Sequence, residues 1–202
     1  MNKSFFQLDE FFKSACYFEA SLILVAVLLG WMATLDPFGL IIFSEPAFVY
    51  GVAGTIPLFF IFLVMEKIQG SSVGNIKRLL LNSLGPVLHR YHWADLLVLA
   101  AITGFSEELV FRGVIQPWME DSWGKTVALI GSNIIFGLVH SLTPLYAVLA
   151  ALVGVYLGLS LDYGGERNLL IPIIIHGLYD FLAFLVLMHV YRANLVKTRL
   201  KI

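Results

Sequence analysis

Glu107 and Glu108 stand side by side in an otherwise apolar run, ADLLVLAAITGFSEELVFRGVIQPW, and Arg112 follows four residues after the second. Ionisable side chains deep in a hydrophobic segment are costly, and they are usually kept for what they do. Two later apolar segments each bring a histidine, His140 and His176, the latter with Asp180 four residues on. Residues four apart share a helix face, so Glu108 and Arg112 can form a charge-assisted pair, while Glu107 points about a hundred degrees away. Glu107 has nothing on its own helix to neutralise it, and a poorly solvated carboxylate suits general-base work. Asp180 can hydrogen-bond His176 and set its tautomer. Without chemistry, the same residues read as packing: a buried Glu108–Arg112 pair, a core histidine and a His176–Asp180 pair. Unpaired polar groups from three separate segments would be expensive in lipid, so all are expected to meet in one shared site.

The surrounding chain is an integral membrane protein by composition. Of 202 residues 59% are hydrophobic and 13% charged, with a mean hydropathy of +0.85; a soluble domain carries roughly 25% charged residues. The net charge is -1 and there is no basic nucleic-acid patch. The single cysteine, Cys16, excludes a disulfide framework. Asp9, Glu10 and Glu19 interrupt the first apolar stretch, which is read as a retained helix rather than a cleaved signal peptide.

A membrane-crossing helix needs about 20 apolar residues, and six segments approach that length: 16–35, 47–65, 93–118, 126–142, 145–161 and 169–191. The expectation is an all-α polytopic bundle of about six transmembrane helices, one domain over 1–202. Between the second and third, 70–91 mixes Lys77, Arg78 and Arg90 with Ile76, Leu79, Leu80 and Leu84, as in an interfacial helix broken at Gly85-Pro86 or an ordinary loop. Lys3, Lys13, Lys67, Lys77, Arg78, Arg90, Arg192, Lys197, Arg199 and Lys201 all fall on one side of a six-helix drawing, which puts both termini in the cytoplasm. Ala150, Gly154 and Gly158 recur every fourth residue, a stripe that lets a neighbouring backbone come close. In this topology His140 lies near the cytoplasmic end of the fourth helix and His176 near the outer start of the sixth. For both to reach Glu107, the fourth helix must tilt and run on, or the 141–146 turn must dip inward.

Taken in order, Ser106-Glu107-Glu108-Leu109-Val110-Phe111-Arg112-Gly113, Phe136-Gly137-Leu138-Val139-His140 and His176-Gly177-Leu178-Tyr179-Asp180 resemble the three motifs of the CPBP family, the membrane-embedded CAAX-processing and bacteriocin-processing proteases. The family patterns are EExxxR, FxxxH and HxxxN or HxxxD on successive core helices. The resemblance covers 93–187, with the Pro144 turn and the 164–172 approach also similar; the first two helices carry no such signal. It implies that Glu107 activates water with help from His140, that Arg112 holds Glu108, and that His176 and Asp180 stabilise the oxyanion. Many members have asparagine where this chain has Asp180, and an ionised aspartate cannot donate a hydrogen bond. Asn133 and Phe136, on one stripe with His140, are expected to touch substrate.

The family is often labelled metalloprotease, yet it includes members described as metal-free glutamate proteases. No cofactor is expected; the zinc alternative would use His140, His176 and Glu108. The expected activity is hydrolysis of a peptide bond near the membrane in a lipid-anchored, leader-bearing or C-terminally anchored protein, in a prokaryotic plasma membrane. Membrane lipid and a membrane-associated protein or peptide are the expected partners, with oligomeric state unassigned. The rivals are a non-catalytic scaffold or bacteriocin immunity protein, and a proton-coupled carrier, the latter weakened by the absence of an inverted repeat.

Overall fold

The computed structural model describes residues 3–68 and 70–199. Helix α1 covers Lys3–Ala33, α2 Glu45–Lys67, α3 Ser71–Ser83, α4 Gly85–Leu88 and α5 Trp93–Val110. A π-helical segment, Phe111–Ile115, leads into α6, Gln116–Trp123; α7 (Lys125–Val139), α8 (Pro144–Ser160) and α9 (Leu170–Arg199) complete the chain. Among the described residues there is no strand, as expected of a polytopic helical bundle.

Local chemistry sets the helix ends. Ser44 caps α2, its hydroxyl accepting from the Ala47 N–H, and Thr143 caps α8 the same way through Tyr146. His92 and Asp95 form a reciprocal cap at the start of α5. Gly124, at φ 80°, makes the corner between α6 and α7 that a side-chain-bearing residue would strain.

Among the described residues three stretches are long and apolar enough to cross a membrane: Glu10–Ala33, Glu45–Lys67 and Leu170–Lys197. Helices α7 and α8, with 15 and 17 residues, are shorter. The third expected segment continues to Trp123 and is broken by the π-helical turn, a feature without a compositional signature. The 70–91 region is helical, with its break at Leu84 between α3 and α4. On α3, Ile76 and Leu80 face inward while Lys77 pairs with Glu66 of α2. Lys201, one of the charges used for orientation, lies outside the described residues.

Helix α9 is the spine, packed along α5 and α2, while α1 lies on α5 and α7 pairs with α8. The α5–α9 crossing is tight because Gly104 meets Gly177: a Cβ on Gly104 would stand 2.6 Å from the Gly177 nitrogen. This approach brings the glutamate doublet of α5 against His176 of α9. The expected Ala150/Gly154/Gly158 stripe has a different use. Gly154 and Gly158 leave room for the side chains of Arg112, Asn133, Gln116 and Leu129 rather than for another backbone.

Candidate active site

The centre is built from Arg112 outward. Its guanidinium is fully buried and donates to Glu108 Oε1 at 2.8 Å, Asn133 Oδ1 at 2.7 Å and the Gly154 carbonyl at 2.6 Å. The Phe136 ring lies 4.8 Å from its central carbon, a desolvated cation–π contact. The π-helical turn starts here: the Gln116 N–H bonds Phe111 O, five residues back. Such turns concentrate at functional sites.

Glu108 Oε1 also accepts from His176 Nδ1 at 2.8 Å. This fixes the ring, so its orientation comes from Glu108 and not, as the four-residue spacing suggested, from Asp180. Asp180 Oδ2 lies 3.6 Å from the other nitrogen, Nε2. Glu107 Oε2 is 3.9 Å from the same Nε2 and 3.4 Å from His140 Nε2. His140 gives its Nδ1–H to the Phe136 carbonyl at 2.8 Å; a carbonyl only accepts, so Nδ1 carries the proton and Nε2 is left toward Glu107. Phe136 stacks under His140 with centroids 4.3 Å apart and meets the edge of His176 at 6.1 Å.

Both imidazoles therefore reach the first glutamate. Helix α7 does not run on; it ends at Val139 with His140 as its cap. Its fifteen residues rise about 22 Å, short of a hydrocarbon core of about 30 Å.

Glu107, His140, His176 and Asp180 sit on the wall of a cavity of about 740 Å³ whose remaining lining is mostly apolar, from Leu58 and Phe62 of α2 to Ile76 and Leu80 of α3. Phe136 reaches this wall. Asn133 does not: it is 1% exposed and spent on Arg112 and the Leu129 carbonyl, so it positions the arginine instead of touching a ligand.

Sequence reading overlooked Glu19, Thr103, Tyr146 and Tyr179, which share the wall. Glu19 Oε2 accepts from Ser106 Oγ at 3.1 Å, beside the doublet. Its signal was available, a carboxylate inside an apolar helix; the tyrosines gave none.

The zinc alternative does not fit this arrangement. Glu108 occupies the Nδ1 edge of His176 and is bound by Arg112, whereas His140 lies toward the Nε2 edge, so the three donors do not face one point. Among the described residues no group of three or more His, Cys, Asp or Glu side chains is arranged to hold an ion.

Residues 89–182 match the family model described as type II CAAX prenyl endopeptidase Rce1-like. The match supports the resemblance to the CPBP family over these residues, a little under half of the chain. The match takes in the doublet with Arg112, the Phe136–His140 pair and the His176–Asp180 pair, and leaves α1 and α2 outside. No curated protein and no solved structure matches the chain. The polar centre and the floor of its cavity thus lie within the matched residues, while α1 and α2 contribute Glu19 and much of the apolar wall.

Proposed function

We propose that the chain is an intramembrane endopeptidase in which Glu107 activates the attacking water. The observation that carries this reading is Glu107 Oε2, flanked by Nε2 of His140 at 3.4 Å and Nε2 of His176 at 3.9 Å, at the wall of an apolar cavity. A water held between these groups gives one proton to Glu107 as its oxygen attacks the amide carbonyl. As an imidazolium, His176 donates from Nε2 to the resulting oxyanion, its Nδ1–H already given to Glu108. The C–N bond then breaks and the amine leaves with the proton from Glu107. His140 positions the water, and Asp180 steadies the Nε2 edge of His176. No step uses a metal.

The substrate is a juxtamembrane or C-terminal stretch of a lipid-anchored, leader-bearing or C-terminally anchored protein, whose apolar part fills the cavity between α2, α3 and α9. Both termini of the enzyme are cytoplasmic. The test is mass spectrometry of juxtamembrane peptides, lipidated and bare, incubated with the purified chain. A new terminus at one internal bond supports the reading. A well-folded protein that cuts none of them favours the scaffold.

A further inference from the structure

Glu108, Arg112, Gln116 and Glu120 follow one another at four-residue steps from the polar centre to the far end of α6. None of the first three lines the substrate cavity. Arg112 and Gln116 lean toward α8, where two glycines leave space: a Cβ on Gly158 would stand 2.7 Å from Gln116 Oε1, and one on Gly154 3.2 Å from an Arg112 terminal nitrogen. Gln116 is 2% exposed, and its amide nitrogen reaches the Gly158 carbonyl at 3.5 Å and Glu120 Oε1 at 3.4 Å, both long. Glu120 in turn is gripped by Arg167 at 2.6 and 3.1 Å, beside the exposed Asp162 and Lys125.

This polar stripe is not closed on itself. Among the described residues four buried side-chain atoms lack a hydrogen-bond partner within the protein: Glu107 Oε2, Glu108 Oε2, Arg112 Nε and Gln116 Oε1. The first faces the cavity; the other three lie in sequence on the stripe. Each such atom is costly when left unpaired, and buried polar groups of this kind are commonly satisfied by ordered water. The order along the stripe is acceptor, donor, acceptor. Water both donates and accepts, so it suits each of the three.

We propose that the Glu108–Arg112–Gln116 stripe binds ordered water and forms a hydrated path from the Glu108–His176 pair to the exposed end at Glu120 and Arg167. Protons and water then reach the buried pair without crossing the cavity that the substrate fills. The kinetic half of this inference rests on the endopeptidase reading; the hydration half does not.

The test is a structure of the purified full chain in lipid nanodiscs that shows ordered water, paired with kinetics of Gln116→Met, a change of similar volume. The expected result is solvent density at about 2.7–3.2 Å from Glu108 Oε2, Arg112 Nε and Gln116 Oε1. Gln116→Met should lose the last of these and lower kcat about tenfold with KM unchanged. A stripe packed dry, with no density touching the three atoms, overturns the proposal, as does a folded Gln116→Met protein with wild-type kcat. If that variant does not fold, the wild-type solvent density decides alone. Water on the stripe of a chain that cleaves nothing upholds the path and sinks the endopeptidase reading.

Discussion

His176 gives its Nδ1–H to Glu108 at 2.8 Å and so turns Nε2 toward Glu107, 3.9 Å away. Two consecutive glutamates thereby address opposite edges of one imidazole, which helical geometry permits because neighbouring residues point about a hundred degrees apart. Glu108 serves the architecture: it is fully buried, with its proton donors supplied by Arg112 and His176. Glu107 is left to the cavity and to His140.

Arg112 is the keystone of this division. Arg112→Met leaves the Glu108 carboxylate buried without its counter-ion and should destabilise the fold by about 3–5 kcal/mol. The double variant Glu108→Gln with Arg112→Met should lose less than the two single changes combined, because the uncompensated charge is gone. Unfolding of the three variants in detergent measures the difference.

The α5–α9 crossing should be intolerant on one side. A methyl group on Gly104 would stand 2.6 Å from the Gly177 backbone nitrogen, whereas one on Gly177 would lie 3.4 Å from the Ala100 carbonyl oxygen. Gly104→Ala should therefore cost about 1–3 kcal/mol and separate the doublet from His176, while Gly177→Ala should stay close to wild type in stability and turnover. Thermal unfolding and peptide cleavage, compared for the two variants, check this.

The ion cluster at the far end of α6 gives a pH signature. The hydrogen bond from Arg167 holds the Asp162 carboxyl below its ordinary range, and the two carboxylates around Arg167 raise its guanidinium, which stays charged throughout. A depressed folded-state pKa means stability that is present above the unfolded value and lost as pH falls through the folded one. Asp162→Asn should cost at most about 1 kcal/mol near neutrality because the site is partly solvated. The gap to wild type should close in acid and shrink in high salt, as read by melting curves across pH and ionic strength.

Much of the site was legible because lipid makes charge expensive: Glu107, Glu108, Arg112, His140 and His176 stand out wherever apolar runs are scanned. What a stripe cannot say is which partner a residue meets. Asn133 shares a face with His140, yet its partner is Arg112 and not a ligand. The glycines of α8 looked like a helix-packing motif and instead make room for side chains, most of them polar. The π-helical turn at 111–115 depends on a backbone hydrogen-bond register that no composition encodes. Glu19 was visible, but as a flaw in the first span rather than as part of the cavity wall.

Metal dependence is open to direct measurement. The purified chain should contain well under one zinc per molecule and keep its cleavage rate after exhaustive chelation. Stoichiometric zinc with chelator-sensitive, zinc-restored activity would contradict the metal-free reading.

The central claim is that the free carboxylate of Glu107 drives hydrolysis. Its most direct test is the cleavage rate of Glu107→Gln on a peptide that the wild type cuts, with melting behaviour as the control for folding. A fall of about 10²–10⁴-fold in kcat at unchanged stability is the expected result. A Glu107→Gln protein that cleaves within a few-fold of wild type would contradict the account.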